Sequence, residues 1–488
     1  MKRTLSAILL ITMLASMAAS CGDTADDTPD TSVDTTPVTT VPAETTEALD
    51  LPADLKYDDT VTILTAEGIL ASEEELTDEM TVLQQAMYER TAAVEERLGV
   101  TLEFIPVNPW TETAGLIRQS VNAQSDDYQL TFTCASAMVS LVNANLMLSH
   151  DELPYIDIDK PWWNKQYIES VSLHEDDQYI LFGDISYNML QRTTCVFFNA
   201  NLLESKLNMK PEDLYDLVYE GKWTIDKFTE LVSQVYEDDN GNTINDADDI
   251  HGLSYLGPYP MNWMAFSSGL DFTGRDENGY PSLNLNNEKT IDLIDKLCKL
   301  FVNNEAAFSA NSTDNRNEFA NKFGEGKALF VVNRFYLAGW NQLRDMENDY
   351  GILPMPKYSE DIDGYHSTVE ELVQWGGVPV TVTDPNMVSA VAEALAYESY
   401  MRTTDAYYET TLKLKLTRDD ASMEMLDLIM SGRDTDYLFI NSLGGMNQIF
   451  TYAFSAGQNN FASEYARFEQ TAKIRLQELI DNYQNKTY

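Results

Sequence analysis

Apolar residues recur along this chain at two periods, and the switches between them predict most of its elements. Residues 60–65, Thr-Val-Thr-Ile-Leu-Thr, alternate and are β-branched, which predicts a strand. Over 81–98, Leu83, Met87, Val94 and Leu98 fall at helical spacing and Gly99 follows, so a helix stopped by glycine is predicted. Residues 100–105, Val-Thr-Leu-Glu-Phe-Ile, give the next strand. Strand, helix and strand within this length predict a right-handed βαβ unit on a parallel sheet. Residues 128–133 continue that sheet, and Ser136 lies where the following helix opens. Ligands of such sheets lie beyond the strand C-termini, here at Glu67 and Ser136.

The pattern persists beyond the first unit. Residues 179–186 read as a strand end with Asp184 after a glycine, placed either to accept from ligand hydroxyls or to form a turn. Residues 194–199, Thr-Cys-Val-Phe-Phe-Asn, suit a buried strand. Trp223 is expected to cover a helix start capped by Thr224, with Phe228, Leu231, Val232 and Val235 on one face. Residues 256–269 form the loop richest in aromatics, including Tyr259, Trp263 and Phe266, of which Phe266 reads as core. In 373–379 the pair Gly376 and Gly377 interrupts a strand behind Trp375, a place for close backbone approach to a ligand. Asp384 and Pro385 start a helix whose buried face is Val388, Val391, Ala392 and Leu395.

Residues 319–358 set the architecture. Phe319 and Phe323 are one turn apart, and Gly324 and Gly326 stop that helix. Residues 328–332, Ala-Leu-Phe-Val-Val, are apolar without alternation and suit a doubly buried strand. The aromatics Phe335, Tyr336 and Trp340 follow, then Gly-Ile-Leu-Pro-Met-Pro over 351–356. This segment resembles the family 1 extracellular solute-binding proteins, the maltose-binding-protein-like receptors that feed ABC importers. The resemblance runs from Thr60 to the C-terminus and extends to Trp162-Trp163 and the Gly-Asp-Ile at 183–185.

The resemblance implies an α/β, two-lobed periplasmic-binding-protein-like fold, each lobe a mostly parallel sheet flanked by helices, with the ligand cleft at the hinge. Hinge strands would cross at about 197–199 and 331–334. A carbohydrate is the implied ligand and ABC permease subunits the implied partners, with a monomer expected. The implied ligand-binding residues are Trp263, Tyr259, Tyr336, Trp340, Trp375, Asp184, Ser136, Glu67 and Arg334, with Trp263 and Tyr336 foremost. The expected division is a signal peptide over 1–20, a tether over 21–57, a first lobe from 58–194 and 334–386, and a second from 195–333 and 387–488.

Lys2 and Arg3 precede an apolar run over 5–14, and Ala18-Ala19-Ser20-Cys21 follows. The run is short for a bilayer span and has signal-peptide form. The last four residues resemble a lipobox, which would make Cys21 a lipid anchor on the extracellular face of a bacterial membrane. A plain secretory signal is the alternative. Residues 22–60 hold eleven Asp or Glu against one lysine, a composition that predicts disorder.

A net charge of −47 argues against nucleic acid or an anionic surface as partner, and against a broad basic field for an anionic ligand, though one local arginine would still serve. Beyond Cys21, only Cys134, Cys195 and Cys298 remain, with no zinc spacing, and buried free thiols are expected, with a single disulfide as the alternative. Residues 238–249 approach a calcium loop, but Thr243 replaces the expected glycine and Asp249 the terminal glutamate, so a solvated acidic turn is preferred and no metal or cofactor is expected. No nucleophile and base stand at a recognisable spacing. A binding protein is therefore expected. The alternatives are a secreted carbohydrate-active enzyme, whose cleft would have the same composition, and a surface receptor without a transporter.

Overall fold

The computed structural model describes residues 48–65, 80–312, 315–408 and 420–485. Cys21 and Glu67 lie outside the described residues. The longer strands of the two main sheets are β1 (Asp59–Thr65), β2 (Val100–Pro106), β3 (Leu130–Cys134), β4 (Thr194–Asn199), β5 (Ile250–Tyr255), β6 (Ala328–Arg334), β7 (Tyr350–Leu353) and β8 (Gln374–Gly377). The first sheet has the order β8-β3-β1-β2. Its three N-terminal strands are parallel and β8 closes the edge antiparallel to β3.

Helix α1 (Val82–Leu98) links β1 to β2 and shows how local chemistry sets the boundaries. Thr81 and Gln84 form a reciprocal capping box at its start. Gly99 ends it at φ 63°, donating to the Glu95 carbonyl. The face made by Met87, Val94 and Leu98 is buried, each such side chain contributing roughly 2 kcal/mol on removal from water.

The second sheet runs β7-β4-β6-β5, with short edge strands at Tyr236–Glu237 and Ala307–Ser309. All six residues of β4 are buried, as their unbroken apolar run predicts. This sheet is mixed rather than mostly parallel: β4 pairs antiparallel with both β6 and β7. The cause is direction, since β4 begins where the two sheets join and β6 ends there, pairing Thr194 with Arg334. The chain consequently passes between sheets at the Thr194 end of β4 and not at 197–199, where Phe197 faces Val331 inside the second sheet.

Three expected boundaries are corrected. Residues 49–57 are not tether: Leu51 is buried, Leu49, Leu55 and Tyr57 pack beside it, and Arg97 donates to the Leu51 and Pro52 carbonyls at 3.0 and 2.7 Å. β7, placed by sequence in the first lobe, pairs with β4 in the second sheet. Helix α3 (Pro385–Glu398), capped by Asp384, packs on α1 in the first lobe and not in the second. An apolar stripe says that a face is buried, not against what.

From Asp420 onward the chain serves both lobes. The helix Asp420–Ser431 packs beside β7, while Tyr437–Asn441 touches the first-lobe helices Ala135–Val142 and Lys165–Val171. The final helix, Phe461–Gln484, buries Phe461, Ala472 and Leu476. Cys134, Cys195 and Cys298 are free and buried. In the acidic loop over 238–249, Lys322 Nζ donates to the Ala247 and Asp249 carbonyls and Lys327 Nζ to the Asp248 carbonyl, so ammonium groups occupy those oxygens.

Candidate functional site

Three stretches run side by side where the sheets join: 192–194, 334–336 and 368–370. The Phe335 amide donates to the Thr193 carbonyl at 3.0 Å and the Glu370 amide to the Arg192 carbonyl at 3.0 Å. Thr194 Oγ1 donates to the Thr368 carbonyl at 2.8 Å. Backbone pairing therefore fixes three side chains close together: Arg192, Arg334 and Glu370.

Both guanidinium groups meet one carboxylate oxygen. Arg192 Nη1 lies 2.5 Å and Arg334 Nη1 2.6 Å from Glu370 Oε2. Arg334 also sits over the Trp263 ring at 5.3 Å, and both arginines lie 5.9 Å from the Tyr336 ring, within cation–π range. Burial, and after it the Glu370 charge, push the neighbouring Glu371 carboxyl up to about 7. Arg192 Nε is buried with no hydrogen-bond partner, while the Trp263 indole N–H faces the Glu371 carboxyl and helps to hold it down. Buried polar atoms are nearly always satisfied, so the unpartnered Arg192 Nε points to a place where a ligand completes the bonding.

Helix α2 (Tyr259–Phe266) brings two of the aromatics to this cluster. Tyr259, at its first turn, is 44% exposed and stacks on Trp263 at 6.2 Å. Trp263 itself is only 4% exposed. Tyr336 is 41% exposed and meets Trp340 edge-on at 6.0 Å. The open rings are thus the two tyrosines. Trp263, ranked foremost from sequence, is a covered ring that backs them. Trp340 is half-buried between Tyr336 and Phe319.

The other expected residues lie apart. Trp375 is 2% exposed and edge-on to Tyr167 in the core of the first lobe, away from the arginine cluster. Its glycines serve packing: a Cβ at Gly376 would meet Phe132 and Leu181, and one at Gly377 would meet Met138. Asp184 is buried and accepts from Thr404 Oγ1 at 2.8 Å, and burial pushes it up to about 6 against the pull of Arg433. With Trp162, Trp163 and Arg433 it lines a separate polar cavity of about 180 Å³. Ser136 is exposed, its hydroxyl 3.5 Å from the Cys134 thiol. Trp223 is buried and donates to the Pro354 carbonyl, Thr224 caps the helix it precedes, and Phe266 is core, each as expected.

Arg192, Glu370 and Glu371 were not singled out from sequence. Arg192 and Glu370 are separated by 178 residues and meet only through the crossing geometry. Among 79 acidic residues nothing local marks these two.

No family model matches the chain, and no curated protein matches it. Solved structures do. One is the GacH receptor of Streptomyces glaucescens, described unliganded and with acarbose: TM-score 0.53, 15% identity, 87% of this chain and 100% of that one covered. A cyclo/maltodextrin-binding protein complexed with maltotetraose matches at TM-score 0.55 and 11% identity, covering 90% and 100%. An ABC transporter solute-binding protein from Thermotoga lettingae bound with α-D-tagatose matches at TM-score 0.54 and 12% identity, covering 86% and 100%. At these identities the likeness establishes the fold: an α/β, two-lobed, periplasmic-binding-protein-like architecture.

Proposed function

We propose that this chain, which has the fold of ABC-transporter solute-binding proteins, captures a sugar or oligosaccharide between its lobes and delivers it to permease subunits. The observation that carries this reading is the pair of exposed rings at the junction of the two sheets, Tyr336 beside the arginine cluster and Tyr259 stacked on Trp263 next to it. Pyranose C–H faces stack on phenol rings, each contact adding about 1 kcal/mol on the scale of aromatic pairs. The unpartnered Arg192 Nε would donate to a ligand hydroxyl. That these three structural neighbours are described with acarbose, maltotetraose and α-D-tagatose supports the same ligand class.

The protein acts as a monomeric lipoprotein anchored at Cys21 on the extracellular face, and it binds without turnover. Glu370 is held by two guanidinium groups, which suits a positioning role better than that of a free base. A thermal-shift screen against a sugar library tests the reading. At a hundred times its Kd a ligand stabilises by roughly 2.7 kcal/mol, so a clear rise in midpoint is expected. No rise with any sugar would refute it. Cys21→Ala should release the protein from membranes, and mass spectrometry after long incubation should find a bound oligosaccharide intact.

A further inference from the structure

We infer that the ligand carries a carboxylate: Arg192 and Arg334, shared by Glu370 beside Tyr336, form a subsite for a sugar of the uronic-acid class. The inference rests on the carbohydrate-binding reading above and narrows it. Its ground is an imbalance of charge and of donors. One carboxylate oxygen serves two guanidinium groups, at 2.5 and 2.6 Å, so a −1 group faces two +1 groups. Both arginine side chains are mostly buried, at 16% and 17% exposure, where solvent neutralises the surplus poorly.

The donors are likewise unspent. A guanidinium offers five N–H groups in a planar fork. Arg192 spends one on Glu370, and its Nε is buried with no partner. Arg334 spends one on Glu370 and a long one, 3.4 Å, on the neutral Asn333 side chain. Glu371 does not restore the balance, because burial holds its carboxyl up to about 7 and leaves much of it neutral near physiological pH.

A carboxylate is the group that completes such a fork, through two parallel charge-assisted hydrogen bonds. The rings fix the approach. Tyr336 lies 5.9 Å from each guanidinium and Trp263 5.3 Å from that of Arg334, so aromatic faces cover the cations and leave their edges for the ligand. A pyranose stacked on Tyr336 would bring its ring substituents to those edges. The charge of −47 on the whole chain makes its far field repel anions, so selection acts at contact and not by steering.

The test is calorimetric titration of the full-length protein with a panel of uronic-acid oligosaccharides, each paired with its carboxyl-reduced neutral counterpart. The tightest binder should be an acidic member, at least ~10-fold tighter than its neutral partner. Arg334→Gln should bring that ratio within about threefold, and Arg334→Lys, which keeps the charge but not the fork, should fall between. If neutral members bind as tightly as their acidic partners, the inference is wrong while the carbohydrate reading stands. If no member of either kind binds while another sugar raises the unfolding midpoint, the inference alone is wrong; if no sugar does either, both are wrong. The wild-type ratio decides even if a variant fails to fold.

Discussion

In the first lobe Trp162 and Trp163 are buried next to each other, and both indole N–H groups donate to the Glu393 carboxylate on α3, each at 2.8 Å. At the junction Trp263 is as deeply buried and faces the Glu371 carboxyl, yet Arg192 Nε has no partner, and Tyr259 and Tyr336 are open. Both groups are aromatic clusters with a buried carboxyl pushed up to about 7, Glu393 in one and Glu371 in the other. What separates them is completeness. The first closes its own hydrogen bonds and holds α3 onto its lobe. The second leaves guanidinium donors open, with the exposed Tyr336 ring beside them. Ring content alone does not distinguish a core from a binding site; unsatisfied polar atoms next to exposed rings do.

The largest effect should come from breaking the closed cluster. Glu393→Ala leaves two indole donors buried without an acceptor, at about 1–3 kcal/mol each, so roughly 3 kcal/mol of stability should be lost with sugar affinity unchanged. Denaturant unfolding measures the first and calorimetry the second. A midpoint close to wild type would mean that water replaces the carboxylate and that the cluster is not closed.

Breaking the open cluster should act in the opposite way. Tyr336→Ala removes an exposed ring, so the unfolding midpoint of the ligand-free protein should hardly move while sugar affinity falls about tenfold, or ~1.4 kcal/mol. Lost stability with unchanged affinity would make Tyr336 a packing residue.

A smaller effect is pH-dependent. Glu371 and Glu393 are raised to about 7 in the folded state, against about 4.3 for a free glutamate. The folded protein therefore binds more protons in that interval, and the stability this confers is full at low pH and lost as pH rises through 7. His150 and His251, pushed down to about 4 chiefly by burial, act the other way once pH falls below about 6.5. The midpoint should rise on going from pH 8 to about pH 6.5. Glu393→Gln should remove part of that rise. Saturating sugar should alter the Glu371 contribution and leave that of Glu393 in place.

The sequence made much of the scaffold legible, because the signals there are local. Thr81 with Gln84, Gly99, Thr224 and Asp384 mark helix ends by their own hydrogen bonds. The unbroken apolar run of β4 marks burial on both faces. Half of the site was legible as well, since Tyr259, Tyr336 and Arg334 lie in segments whose resemblance to known receptors is local. Glu370 and Arg192 were not, because one carboxylate bridging two strand ends is a product of the crossing and leaves no trace in either neighbourhood. Trp375 misled for a related reason: two glycines after a tryptophan suit a ligand approach and also tight packing against Phe132 and Met138, and only the fold distinguishes the two.

Hydroxyl-radical footprinting with and without saturating sugar tests the central claim most directly, because it reads both clusters in one experiment. Tyr259 and Tyr336 should be oxidised readily in the free protein and several-fold less when sugar is bound, while Trp162 and Trp163 stay unreactive in both states. Unchanged oxidation of the two tyrosines at saturation would contradict the account and place the sugar elsewhere.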